Sequence, residues 1–383
     1  MKKHLNKLEN LNKISTKQLI EKCTGCFACS NICPQNIIEF QYNKEGFLYP
    51  IIVNEEECIN CSKCLKACKI ISNKKNENNF IEIFDIFSKN EKIVQQGSSG
   101  GFFPEIANIF LKEGYIIYGA IFDEKTKVVY HTSTKINKIE KIYKSKYVQS
   151  RIGSILREIK LDLDKGEKVL FTGTPCQVLG LKKYLNKDYR NLITFDFICH
   201  GVPSPKVFQK YLECYEKKFK KRIVDCTFRE KEQGWRSQII KLYFDDGEVK
   251  KIKSKYSKYY NLFIFNYILR KSCYSCFNVN NHYSDITLSD SWNSTLNSNG
   301  VSRIILNTIK GKEIFKEYQS KFIYQEIKTQ EKPENKRKYS LKNRKFFYKY
   351  YKENDSNNIL FEISRLRCFI ERIVGKLFKN RKN

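Results

Sequence analysis

Four cysteines with two, two and three residues between them, Cys23, Cys26, Cys29 and Cys33, stand just before Pro34, and the same spacing returns at Cys58, Cys61, Cys64 and Cys68. A short loop with a thiolate at every third residue wraps three corners of an iron-sulfur cubane, while the fourth corner must be reached from elsewhere in the chain. Paired thiols also suit tetrahedral zinc, but structural zinc sites seldom use a third cysteine three residues after the second. Two 4Fe-4S clusters are therefore the expected occupants. Gly25, Ala28, Ser30 and Ser62 are small enough to let backbone amides approach the sulfurs.

In two-cluster ferredoxins the last cysteine of each run crosses to the other cluster. On that pattern one cluster takes Cys23, Cys26, Cys29 and Cys68, and the other takes Cys58, Cys61, Cys64 and Cys33. The stretch Gly46 to Pro50 between the runs suits the hairpin that joins ferredoxin halves. Pro34 matches the usual ferredoxin stop, whereas Lys69 stands at the equivalent place in the second run.

Other residues have chemistry that depends on where the fold puts them. Gly97, Ser98, Ser99, Gly100 and Gly101 precede a predicted helix, and Gly173, Thr174 and Pro175 follow a predicted strand and open another. Backbone amides at such helix N-termini can face a phosphate or a flavin. Neither loop has Rossmann or Walker spacing, and a glycine cluster before a helix is often an ordinary turn. Cys176 and Cys199 each follow a strand, and Cys273 and Cys276 form a close pair beside Arg270. These four could converge on a third cluster or be small apolar core residues, the reading preferred for Cys214, Cys226 and Cys368. His200 lies beside a turn, where a lone histidine is more often structural, so no catalytic acid or base is assigned.

The elements that must position these groups follow from periodicity. The Asn/Lys run from Asn73 to Asn79 reads as a linker, with a new domain starting near Phe80. Helices are predicted over 102–112, stopped by Gly114, and over 150–163; strands are predicted over 115–122, 168–172 and 192–198. The resulting units are 14–72, 80–165, 166–330 and 331–383. In the last, Ile359, Ile363, Leu366, Ile370, Ile373 and Leu377 form an apolar stripe at helical spacing, flanked by Arg365, Arg372, Lys376 and Lys379. Such a helix docks on the body or a partner, or lies as a peripheral contact on a membrane surface.

Composition narrows the function classes. Apolar residues at 41% of a 383-residue chain are enough for real cores, which excludes a disordered tail protein. No apolar stretch follows the basic first 13 residues and no run is long enough to span a bilayer, so neither signal peptide nor transmembrane span is expected. Fifteen cysteines without such a signal point to a reducing compartment, the cytoplasm, and to metal rather than disulfides. The net charge of +30 invites a nucleic-acid reading. Each thiolate-held cluster offsets it by about −2, and no nucleic-acid motif accompanies it, so nucleic acid is not the expected partner.

Taken together the chain resembles the beta subunit of coenzyme F(420) hydrogenases and dehydrogenases, in particular bacterial members with a fused ferredoxin module. The resemblance runs from about Cys23 to Trp292. It is carried by GSSGGF from Gly97 to Phe102, KYVQS from Lys146 to Ser150, GTPCQ from Gly173 to Gln177 and CHGVPS from Cys199 to Ser204. FREKEQGW from Phe228 to Trp235, CYSC from Cys273 to Cys276 and DITLSDSW from Asp285 to Trp292 complete it. Departures from the family pattern are Lys271 where Pro is frequent, and Ser289 and Asn293 where glycines are expected.

The resemblance implies FAD bound by Ser98, Ser99, Gly100 and Gly101, by Lys146, Tyr147, Gln149 and Ser150, and by Gly173 and Thr174. It also implies a third 4Fe-4S cluster on Cys176, Cys199, Cys273 and Cys276. The expected fold is α+β: an N-terminal two-cluster ferredoxin-like domain, an α/β flavin-binding domain and a helical basic C-terminal extension. The expected function is oxidoreductase chemistry, exchanging a hydride with a small-molecule carrier such as a deazaflavin and passing single electrons to a redox partner protein or subunit. The alternative is an electron-transfer subunit serving a larger redox complex or a polysaccharide-biosynthesis enzyme. A third class, an iron-sulfur sensor binding nucleic acid, would require salt-sensitive binding.

Overall fold

Phe47 is fully buried and precedes strand β2 (Leu48–Ile52), whose five residues are all buried, while its partner β1 (Ile38–Tyr42) alternates buried or half-buried positions with the exposed Glu39 and Gln41. The two pair antiparallel with Phe40 opposite Pro50, forming the hairpin expected between the cysteine runs. Short helices α1 (Ala28–Ile32) and α2 (Lys63–Lys66) carry cysteines of the two runs. The computed structural model describes residues 19, 21–68, 70, 82–134, 139–328, 341–351, 361–362 and 366. The linker Asn73–Asn79, Cys368 and the C-terminal stripe other than Leu366 lie outside the described residues.

The rest is mixed α/β around one large sheet. Its strands are β3 (Glu82–Ser88), β4 (Ile116–Phe122), β5 (Val129–Thr134), β6 (Val169–Thr172), β7 (Leu192–Phe197), β11 (Ile286–Asp290), β12 (Ser302–Leu306) and β13 (Phe322–Glu326). Their order is β13-β3-β12-β11-β7-β6-β4-β5, so segments 80–165 and 166–330 interleave in a single sheet. The central strands β4, β6, β7 and β11 are parallel and the outer ones antiparallel. A second, three-stranded antiparallel sheet is made of β8 (Ile223–Glu230), β9 (Ile239–Phe244) and β10 (Val249–Lys253).

The period-two alternation of β6 divides the packing: Leu170 faces one core with helix α3 (Phe102–Lys112), while Val169 and Phe171 face another. That second core contains α4 (Ile155–Asp164) and α5 (Pro175–Leu185), and it also takes in Phe27, Ala28, Leu48 and Ala67 of the N-terminal module. The module is thus seated on the face of the sheet that carries α4 and α5. Arg157 of α4 clamps it by donating from Nε to Asn31 O at 2.7 Å and from Nη2 to Ser30 O at 2.9 Å.

Local sequence sets the helix that matters most. Thr174 caps α5 through a reciprocal box with Gln177, and Pro175 occupies the first helical position, where its missing N–H is no loss. Helix α6 (Pro205–Phe219) also starts with a proline, after Ser204, whose hydroxyl accepts from Val207 N at 3.3 Å without a reciprocal partner at the third helical position. Both helices start immediately after the carboxyl-end loops of parallel strands.

Gly180 sits in α5 against Cys26; a Cβ there would lie 2.8 Å from Cys26 Cβ. Gly→Ala inside a helix is ordinarily favourable by about 1 kcal/mol. Here overpacking against the cysteine loop reverses the sign, and Gly180→Ala is expected to cost about 1–3 kcal/mol in anaerobic urea unfolding. A stabilised variant would show that the loop does not abut the helix.

Candidate functional site

The two N-terminal loops share one backbone twist. Torsion φ is positive at Gly25 (67°) and Phe27 (63°) in the first, and at Asn60 (54°) and Ser62 (57°) in the second. Left-handed residues are uncommon outside glycine, and alternating them with right-handed ones turns successive amides toward the inside of a loop, where they can face an anion. Gly25 N–H already points at Cys23 Sγ, 3.4 Å away.

Thiols from both runs lie within electrostatic reach of one another. Burial raises the Cys29 thiol well above its usual range, followed by the charges of Cys26, Cys23, Cys68 and Cys64. Cys64 is raised by burial, with the amide of Leu65 opposing and Cys33, Cys61 and Cys58 adding. No disulfide links one described cysteine to another. Yet among the described residues no three of these side chains, or of any His, Asp or Glu, are close enough to hold one metal ion. Thiols grouped within electrostatic reach of one another suit the corners of a cubane, whose ligands each bind a different iron.

The four later cysteines also converge. Cys176 lies in the first turn of α5, Cys199 just beyond β7, and Cys273 and Cys276 at a 3-10 turn over Lys271–Ser275. Burial raises Cys199 strongly, and Cys273, Cys176 and Cys276 add to it in that order. Cys273 is pushed up to about 12 by burial and then by Cys276. Among the described residues, Thr24 Oγ1, Ser272 Oγ and both amide atoms of Asn278 are buried without a hydrogen-bond partner, and each belongs to a residue within two positions of a cysteine of the first or third group. Orphaned donors beside desolvated thiols fit a sulfur-rich group that supplies acceptors.

Next to this set, at the carboxyl ends of the parallel strands, opens a cavity of about 730 Å³, within the range usual for cofactor sites. Ser98, Ser99, Gly101, Lys146, Tyr147, Ser150, Gly173 and Thr174 line it, and so does Cys199. Two anticipated residues do not. A Cβ on Gly100 would stand 2.4 Å from Ile86 O, so this glycine serves the passage of its loop between β3 and β12. Gln149 turns toward the N-terminal module, donating to Thr24 O at 3.0 Å and accepting from Arg270.

The cavity contains groups not foreseen as contacts. Arg229, at a bulge in β8 with φ of 64°, makes a bidentate pair with Asp290 at 2.8 and 3.1 Å and donates to Ser98 O at 2.7 Å. Its guanidinium lies 5.2 Å over Trp292, which stacks on Trp235. Arg229 Nε and His131 Nδ1 are buried and have no hydrogen-bond partner among the described residues, although both residues line the cavity. Burial holds His131 neutral, with its pKa down at about 4. The arginine and both tryptophans belong to the FREKEQGW and DITLSDSW segments, but nothing in a linear motif shows that a bulge in one sheet meets a strand end in another. The basic, partly apolar lining and its unpartnered polar atoms fit an anionic, ring-bearing cofactor such as FAD. His200 also lines the cavity, with its Nε2 3.2 Å from Phe263 O. Cys226 is in the core, as expected, and Cys214 is partly buried.

Residues 166–332 match the family model for the C terminus of the beta subunit of coenzyme F(420) hydrogenase/dehydrogenase, and residues 22–71 match a 4Fe-4S dicluster domain. No curated protein matches the chain. Among solved structures, a chain of the F(420)-reducing NiFe hydrogenase complex from Methanosarcina barkeri is similar at 18% identity, with a TM-score of 0.47, over 66% of this chain and 85% of that one. No helix among the described residues is long and apolar enough to cross a membrane.

Arg229 is 5% exposed, and removing its counter-charge leaves a buried cation unpaired. Asp290→Asn should therefore cost about 3 kcal/mol in anaerobic urea unfolding, and Asp290→Glu distinctly less. Equal stability of Asp290→Asn and the parent would show that the pair is solvent-screened.

Proposed function

We propose that this chain, an iron-sulfur protein that carries the C-terminal domain of the coenzyme F(420) hydrogenase/dehydrogenase beta-subunit family and a 4Fe-4S dicluster domain, is a flavoprotein oxidoreductase wired through three clusters. In this reading the crossed N-terminal sets hold two 4Fe-4S clusters, and Cys176, Cys199, Cys273 and Cys276 hold a third. FAD would be held in the neighbouring cavity by Ser98, Ser99, Gly101, Lys146, Tyr147, Ser150, Gly173 and Thr174. The observation that supports this most directly is that Cys199 belongs both to the third thiol group and to the cavity wall.

FAD would supply the conversion between a two-electron hydride and single electrons. The chain's own residues supply binding and insulation. Lys144, Lys146 and Arg229 give the cavity its positive charge, while Phe263, Ile264, Leu288 and Val129 exclude water from its walls. The third thiol group adjoins the first N-terminal loop through α5, which has Cys176 in its first turn and Gly180 against Cys26 one turn later. The second loop reaches the surface, with Cys61 exposed and Ile59 58% exposed, where an outside redox partner has access. The proposed order is cavity, third cluster, first cluster, second cluster, partner.

Anaerobically purified chain is expected to contain about twelve iron atoms, matching sulfide and one flavin, and to oxidise a reduced deazaflavin. Colourless protein with zinc and no sulfide would overturn the reading. Bound flavin without deazaflavin oxidation would leave an electron-transfer subunit with no such substrate of its own.

Lys146 carries a second prediction. Its pKa is pushed down to about 7 by burial, with Asp225 opposing and Lys144 adding. A phosphate-bearing ligand prefers the protonated lysine, which is available below that value and lost above it. FAD affinity should therefore fall as pH rises from about 6 to about 8, and Lys146→Gln should flatten the profile. An unchanged slope in the variant, read by flavin fluorescence, would remove Lys146 from the site.

A further inference from the structure

Arg270 has no exposed surface, and its side chain reaches from the third thiol group to the first. At the backbone end its carbonyl accepts from Cys273 N at 2.9 Å, and its own N–H donates to Val202 O at 2.9 Å. At the guanidinium end, Nε donates to Cys23 O at 2.7 Å, Nη2 to Leu48 O at 3.0 Å and Nη1 to Gln149 Oε1 at 3.1 Å. Nη2 also lies 3.6 Å from Cys23 Sγ, and the guanidinium stacks 4.1 Å over Tyr49. Gly25 makes room for this approach: a Cβ there would lie 3.2 Å from Nη1 and 2.8 Å from Gln149 Nε2.

The other deeply buried arginines have carboxylates, Arg229 with Asp290 and Arg344 with Glu45. Among the described residues Arg270 has none. A buried guanidinium without a counter-charge is among the costliest arrangements in a protein, so its anions must come from what surrounds it. Those surroundings are Cys23 on one side and Cys273 on the other, the two thiols that act on it electrostatically along with Tyr49.

We propose that Arg270 is a positioning residue shared by two clusters, a fixed positive charge that raises the reduction potentials of the clusters held by Cys23 and by Cys273 together. This rests on the three-cluster reading above. An electron passing between the two oxidises one and reduces the other without moving a proton. Because both adjoin the same cation, the charge around Arg270 is conserved during the transfer. A neutral side chain would leave each reduced cluster uncompensated in a medium of low dielectric.

The test is an anaerobic redox titration of the full chain, followed by electron paramagnetic resonance, with iron counted in every sample. In Arg270→Gln, reduction of two of the three clusters should become about tenfold less favourable, which is 59 mV for one electron. The cluster on Cys33, Cys58, Cys61 and Cys64 should titrate as in the parent and so serves as internal reference. Arg270→Lys keeps the charge but not the fork, and should stay near the parent. Gln149→Glu sets a carboxylate against the guanidinium with the arginine in place. It should shift the same two clusters downward, and it carries the test if Arg270→Gln does not fold. Three clusters with unaltered potentials in Arg270→Gln or Gln149→Glu would overturn the proposal, as would an Arg270→Lys shift as large as that of Arg270→Gln. A parent chain with about eight irons would instead overturn the third cluster, and this inference with it.

Discussion

In the proposed three-cluster reading, desolvated sulfur and the desolvated Arg270 guanidinium tolerate burial because each answers the other's charge. Buried thiols resist ionisation, as the raised values at Cys29, Cys199 and Cys273 show, and a buried arginine resists losing its anions. Bringing them together satisfies both only if the thiols become ligands of a group that spreads negative charge over many atoms. Packing of the N-terminal module on the sheet also relies on arginine, since Arg270 donates to Cys23 O and Leu48 O and Arg157 to Asn31 O. These are charge-assisted bonds at a seam otherwise closed by Phe27, Ala28 and Leu48.

The parallel strands organise what lies beyond that seam. β6, β7 and β11 end on the same edge, so Gly173 and Thr174, Phe197 to Cys199, and Leu288 to Asp290 form one wall although they are far apart in sequence. Rigid elements stand behind each: the capped first turn of α5 fixes Cys176, and the hydrogen-bonded strands fix the rest. Placement on a scaffold rather than on a free loop suits a site where groups must keep their spacing while charge moves.

The cavity is polarised by the second sheet. Arg229 is held in a left-handed conformation at a bulge, a backbone state that is uncommon and costly for a residue of its size. Asp290, Ser98 O, Tyr147 and Trp292 determine its position from four directions. The same residue thereby ties the glycine-serine loop to the end of β11, and the two sheets meet at the cavity.

Local chemistry was legible from the chain alone. The repeating cysteine spacing, the hairpin between the runs, the helix after Gly101 and the proline-started helix carrying Cys176 all depend on neighbours within a few residues, where propensity and sterics operate directly. The convergence of Cys176, Cys199, Cys273 and Cys276 was open from spacing and needed the fold, because the start of α5, the end of β7 and the 3-10 turn at Lys271–Ser275 meet only once the sheet and its loops have formed. Tertiary structure also decided which glycine-loop and KYVQS residues face the cavity: Gly100 is pinned between strands and Gln149 is drawn to Arg270, distinctions that no linear motif encodes. Arg270 itself reads in sequence as an ordinary cation beside two cysteines. Its placement between Cys23 and Cys273, with no carboxylate beside it among the described residues, exists only once the module and the sheet have closed over it.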